Sequence, residues 1–255
     1  MVVKGIVLTG FGINCDYETQ FALKMANCEA RRVHVNDFIS GRESLDSANI
    51  LVFPGGFSFG DDIASGKVLA NKIKKNLGTQ VQELVEKGGL VLGVCNGFQA
   101  MVKMGLLPDP KKFVQTTTLT FNDSGRFEDR WVYLKVEETK CVFTRGLNNL
   151  YLPVRHGEGK FIAPRDVLSD LEERKQVVLR YADENFAPTN AYPLNPNGAL
   201  DNIAGICDES GQVFGLMPHP ECFVEKTQHP RWTRESFSES IMGKNVFSNA
   251  MKYFK

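Results

Sequence analysis

A cysteine set between glycines, in Gly93-Val94-Cys95-Asn96-Gly97, is the position in this chain best suited to covalent chemistry. An apolar run, Gly89 to Leu92, leads into it, and a helix-like run, Phe98 to Met104, follows. This is the pattern of a strand-to-helix elbow, in which flanking glycines let the backbone turn sharply and expose a nucleophile. At a helix N-terminus the dipole favours a thiolate. A thiol nucleophile needs a base, and the base needs a group to orient it. Among four histidines, His219 stands out, in Met217-Pro218-His219-Pro220-Glu221 after the apolar run Val213 to Leu216. Each proline biases its predecessor toward extended geometry, where residues two apart face the same side. His219 and Glu221 are therefore expected to project together, the carboxylate fixing the imidazole tautomer. Oxyanion donors are the remaining need. Pro54-Gly55-Gly56-Phe57, after an apolar run, suits that role through the Gly56 amide, with the Asn96 amide as second donor.

Each feature also has a plain structural reading. A cysteine can be a small buried hydrophobe, as Cys28, Cys141 and Cys207 are read here. A histidine beside prolines can be a packing residue, and Pro-Gly-Gly can be an ordinary tight turn. His34, within an expected strand, reads as structural. Gly60 to Val68 imitates a phosphate loop but has five residues between its glycines and Val68 where a hydroxyl is needed.

These residues need a scaffold. The first half alternates in a βα manner, with strands expected at Val2–Leu8, Ala30–Val35, Asn49–Phe53 and Leu90–Val94. Helices are expected at Tyr17–Asn27, Lys67–Asn76, Thr79–Glu86 and Asn96–Met104, the first with Tyr17, Phe21 and Met25 along one face. Such alternation implies a parallel sheet covered on both sides. Thr116–Phe121 and Arg130–Val136 read as antiparallel strands, Asp166–Arg174 as a short helix, and Gln176–Tyr181, Asn202–Cys207 and Gln212–Met217 as late strands. Glu235–Tyr253 reads as partly helical. The fold class is α/β, in one domain over 1–255. Lys plus Arg and Asp plus Glu both number 30, which argues against general nucleic-acid or anionic-membrane binding. No apolar stretch approaches a membrane span. Six cysteines without a C-x-x-C pair argue for free thiols, a cytoplasmic setting and no metal site.

The Gly-Val-Cys-Asn-Gly-Phe-Gln elbow, the Pro-Gly-Gly turn and the Pro-His-Pro-Glu segment together resemble the class I (triad) glutamine amidotransferases. Further stretches are similar to the glutaminase subunits of phosphoribosylformylglycinamidine synthases, of de novo purine synthesis. These include Phe53–Asp61, Gly105–Pro108, His156–Gly159, Asn195–Gly198 and Gly215–Glu221. The resemblance implies a flavodoxin-like, mostly parallel sheet with an antiparallel extension. It implies Cys95 as nucleophile, His219 as acid and base, Glu221 as orienter, and the Gly56 and Asn96 amides as oxyanion hole. It also implies Phe57, Asn96 and Gln99 around the glutamine. His156 and Glu158 take no chemical role in it and could instead face the synthetase. The partners implied are a synthetase subunit and a small accessory subunit, with ATP and Mg²⁺ on the synthetase and no cofactor on this chain. The chain departs from the family pattern at Cys222, where arginine is common, and in a C-terminal extension of about 226–255. Its Gln228–Trp232 segment could pack on the core or touch a partner. Two other readings use the same residues: a cysteine hydrolase of the same superfamily, such as a peptidase, and a catalytically silent assembly subunit.

Overall fold

The computed structural model describes residues 2–255. In chain order it contains β1 (Lys4–Thr9), α1 (Asp16–Met25), β2 (Glu29–His34), α2 (Val35–Ile39), β3 (Ile50–Phe53), α3 (Lys67–Glu86), β4 (Leu90–Val94) and α4 (Asn96–Met104). There follow β5 (Thr118–Thr120), β6 (Glu128–Val136), β7 (Asn149–His156), β8 (Lys160–Ile162), α5 (Arg165–Glu173), β9 (Val177–Ala182), β10 (Ile203–Cys207), β11 (Val213–Leu216) and α6 (Lys244–Tyr253). Nine strands form one sheet in the order β2-β1-β3-β4-β11-β10-β9-β6-β7. From β2 to β11 every neighbour is parallel; from β11 to β7 every neighbour is antiparallel. The α/β class and its antiparallel extension follow as the sequence implies.

All five residues of β4 and all four of β3 and β11 are buried, as expected for strands covered on both faces. Helix α4 lies close on this layer because glycines remove side chains from the contact. A Cβ added at Gly97 would sit 1.9 Å from the Phe53 carbonyl oxygen, and one at Gly215 would sit 2.1 Å from the Phe98 ring. Gly97→Ala is therefore expected to push α4 off the sheet, costing roughly 1–3 kcal/mol or more. The check is a lowered thermal midpoint, by about 2–4 °C per kcal/mol for a chain of this size.

Several expectations change. Thr116–Phe121 does not pair with Arg130–Val136. Only Thr118–Thr120 is strand, pairing with β8 in a separate two-stranded sheet, and β6 pairs with β7 and β9. The two helices expected between Lys67 and Glu86 are one, because Gly78 continues it beneath the Phe113 ring. On α1, Tyr17, Phe21 and Met25 face outward, while Asp16, Thr19, Ala22 and Leu23 are buried. The Arg32 guanidinium covers the Tyr17 ring at 3.3 Å and pairs with buried Asp16 at 2.9 Å. No helix among the described residues is long and apolar enough to cross a membrane.

Candidate active site

Four parallel strands end at one place. Beyond β1 lies Cys15, beyond β3 Gly55, beyond β4 Cys95 and beyond β11 His219, the carboxyl edge where open α/β sheets place their ligands. Cys95 caps α4 with φ 50° and ψ −108°, a strained geometry that costs about 1–3 kcal/mol and aims the side chain outward from the bend. Its N–H donates to Leu216 O at 2.8 Å, tying the elbow to the end of β11. The thiol is nearly buried and lies 3.6 Å from Arg155 O. The far edge of the sheet thus curls back over the site, since His219 N also donates to Pro153 O of β7 at 2.9 Å. Proline is tolerated there because β7 is an edge strand.

His219 and Glu221 meet as the spacing predicts. The ring Nδ1 lies 2.6 Å from Glu221 Oε1, both side chains being buried. The other ring nitrogen, Nε2, and the other carboxylate oxygen, Oε2, have no hydrogen-bond partner among the described residues. Burial alone would push the His219 pKa down. The adjacent Glu221 carboxylate and the Cys95 sulfur outweigh it and hold the ring well above the usual histidine range. Gly55 is wedged between Cys95 and His219: a Cβ there would lie 2.8 Å from His219 Cε1 and 3.5 Å from Cys95 Cβ. A side chain at 55 would push His219 away from Cys95 and Cys15.

Gly56 adopts φ 147° and bridges to Ile13, so that a side chain would strike Gly12 O at 2.6 Å. Its N–H donates to no group among the described residues. The Asn96 and Gln99 side chains are spent on the scaffold. Asn96 Oδ1 accepts from Ser58 N at 3.1 Å, and its Nδ2 donates to Asp61 Oδ1 at 2.9 Å and to Gln99 Oε1 at 3.0 Å. Gln99 Nε2 donates to Glu158 O at 2.5 Å. The Phe57 ring is half-exposed and rests on Phe127, 6.2 Å between centroids. The pseudo-phosphate loop, Gly60 to Val68, is folded onto this network instead of cradling an anion. Gly66 N donates to Asp61 Oδ1, and Gly66 packs against the α4 backbone at Ala100.

His156 does not face a partner. It is buried, its Nδ1 donating to Asn122 Oδ1 at 3.2 Å and its Nε2 facing Asn197 Nδ2 at 3.5 Å, an arrangement that suits the neutral ring. Glu158 turns inward too, accepting from Ser65 N at 3.2 Å, with the buried Lys103 amine 3.9 Å away. Burial, with His219 nearby, lowers the His156 pKa to about 3. A base depressed on folding contributes stability that is present above its unfolded pKa and lost as pH falls toward its folded one. Wild type is expected to lose on the order of 3–5 kcal/mol through this residue as pH falls from about 6.5 to about 3. In denaturant titrations His156→Gln should show a flatter decline across that window.

Two neighbours, Cys15 and Arg155, went unread in the sequence. Cys15 Sγ lies beside His219 and bonds Asn14 Oδ1 at 3.3 Å; burial raises its thiol pKa, His219 pulling it back. Arg155 Nη2 donates to Cys222 Sγ. The signal for Cys15 was its place after the first parallel strand, at the edge where Cys95 and His219 also emerge. In the C-terminal segment His229 is buried among Trp131, Tyr151, Phe223 and Phe237, whereas Arg231 and Trp232 are exposed.

The family model of the CobB/CobQ-like glutamine amidotransferase domain matches residues 2–254. The chain is 48% identical over 252 residues to phosphoribosylformylglycinamidine synthase subunit PurQ of Dehalococcoides mccartyi, covering 98% of this chain and 97% of the relative. It is 42% identical over 270 residues to the subunit PurQ of Methanococcus maripaludis, covering 100% and 98%. Among solved structures it is similar to a chain of PurLQS from Thermotoga maritima, with a TM-score of 0.77, 32% identity and full coverage of both chains. The chain belongs to the CobB/CobQ-like glutamine amidotransferase domain family, among its phosphoribosylformylglycinamidine synthase subunit PurQ members.

Proposed function

We propose that this chain is the glutaminase half of phosphoribosylformylglycinamidine synthase, acting as one unit over 1–255 in the cytoplasm. It releases ammonia from glutamine and hands it to a synthetase subunit, with a small accessory subunit in the assembly. The observation that carries this reading is the convergence of Cys95, His219 and Glu221 at one sheet edge in a chain of this family.

The chemistry follows from the site. Cys95 attacks the side-chain amide carbon of glutamine, and the carbonyl oxygen takes up the electron pair. The free Gly56 N–H and the Asn96 N–H stabilise that oxyanion, with Gly56 turning to meet it. His219, held as imidazolium beside Glu221, donates its proton to the departing ammonia. A γ-glutamyl thioester is left on Cys95. His219, now neutral, takes a proton from water, which attacks the thioester and releases glutamate. The side chains of Asn96 and Gln99 act by fixing the loop, and Phe57 forms the mouth of the site. ATP and Mg²⁺ act on the synthetase. The test is reconstitution with the synthetase and accessory subunits: glutamate should form in step with amidine product. Glutamine-dependent product without glutamate from this chain would overturn the reading. An assembly-only role predicts no glutamate at all, and a peptidase predicts peptide turnover in its place.

A further inference from the structure

Cys15 has no part in the chemistry above, yet its thiol stands beside the base. Cys15 Sγ, a ring nitrogen of His219 and a carboxylate oxygen of Glu221 all lie within 4.8 Å of one another. All three side chains are more than nine-tenths buried, and His219 Nε2 and Glu221 Oε2 lack hydrogen-bond partners. We propose that Cys15, His219 and Glu221 form a binding site for a soft divalent cation of the zinc class, and that its occupancy silences the glutaminase. The second half rests on the function proposed above; the first does not.

The donor set selects the metal. One sulfur, one imidazole nitrogen and one carboxylate oxygen suit zinc-class ions, whereas magnesium and calcium take shells of oxygen. Tetrahedral bonds of about 2.0–2.3 Å set ligand atoms about 3.5 Å apart, so side-chain rotation must open the 2.6 Å contact between His219 Nδ1 and Glu221 Oε1 and bring Cys15 Sγ in toward the ion. A fourth ligand is at hand in a water or a second thiol. Cys222 Sγ is 3.8 Å from Glu221 Oε1, and Cys95 flanks the same Gly55 face as Cys15. The nearest guanidinium, Arg155, is engaged with Cys222 Sγ. Binding displaces the Cys15 thiol proton and any proton on the ligating ring nitrogen, both passing to solvent, while the carboxylate oxygen already carries its charge. Whichever ring nitrogen ligates, the imidazole can no longer shuttle a proton between Cys95, ammonia and water.

Cobalt(II) serves as the visible probe on the full-length chain. Wild type should bind one equivalent with a thiolate-to-cobalt charge-transfer band and tetrahedral ligand-field absorption. Cys15→Ser should lose the charge-transfer band and weaken zinc binding by at least about tenfold, while Cys28→Ser, remote from the site, should match wild type. Zinc should also protect Cys15 of the wild-type chain from alkylation, read by peptide mass, which keeps the test usable if Cys15→Ser fails to fold. An undiminished band and affinity in folded Cys15→Ser, or alkylation of Cys15 at an equal rate with zinc, would overturn the site. In the reconstituted complex, zinc inhibition measured against each protein's own zinc-free rate should need at least about tenfold more zinc in Cys15→Ser. Bound zinc without inhibition would overturn the silencing. Absence of glutamate release in zinc-free complex would instead count against the glutaminase reading and leave the binding readouts intact.

Discussion

Cys95→Ala is expected to cut glutamine-dependent turnover of the reconstituted complex by about 10⁴-fold or more, while synthesis from added ammonia continues. The substitution removes Sγ, the one protein atom that bonds the substrate carbon, water being the other nucleophile. It keeps the backbone bend, because alanine carries no more bulk than cysteine at φ 50°, and the contacts that fix the elbow come from main-chain atoms: Cys95 N to Leu216 O and Gln99 N to Cys95 O. Loss of the glutamine reaction with retention of the ammonia reaction separates lost chemistry from lost assembly. Glutamate release, measured beside amidine formation, is the readout. If Cys95→Ala kept its glutamine rate, the thioester route would be wrong.

The second large effect is expected at Glu221. In Glu221→Gln the ring faces an amide in place of a carboxylate 2.6 Å from Nδ1. An amide can present its NH₂ and select the wrong tautomer, and a comparable change in another triad costs about 10⁴ in kcat. The expected loss here is about 10²–10⁴-fold. The pH profile carries the more specific signature. Burial lowers the His219 pKa and the Glu221 carboxylate raises it. Without the carboxylate, burial dominates, so the ring gives up its proton at lower pH. The imidazolium that protonates ammonia is then lost sooner as pH rises, and the alkaline limb of kcat should move to lower pH. An unshifted profile in Glu221→Gln would mean that Glu221 serves packing alone.

How much of this was legible without the structure depends on the range of the interaction. The elbow was fully legible: β4 and α4 have the bounds read from sequence, because an apolar run, two glycines and the stop at Gly105 are local signals. His219 with Glu221 was legible for the same reason, two prolines fixing a two-residue offset. Strand β7 was missed because Pro153 interrupts what is otherwise a strand pattern, Leu150, Leu152 and Val154 alternating with Tyr151, Pro153 and Arg155. The stripe of Tyr17, Phe21 and Met25 on α1 was legible, but not that it faces outward, because spacing gives a stripe and not its direction. Cys15 sits next to His219 only because β1 and β11 end at the same edge, which no local window contains. The roles of Asn96, Gln99 and Glu158 were hidden likewise. Their hydrogen bonds cross from α4 to two separate loops.

A glutamine-analogue electrophile, applied to the wild-type complex and followed by peptide mass mapping, tests the central claim most directly. The account predicts a single γ-glutamyl-type adduct on the peptide that carries Cys95, slowed strongly in His219→Asn and absent in Cys95→Ala. An adduct on Cys15 or Cys222, or no adduct on any cysteine of an active complex, would contradict it.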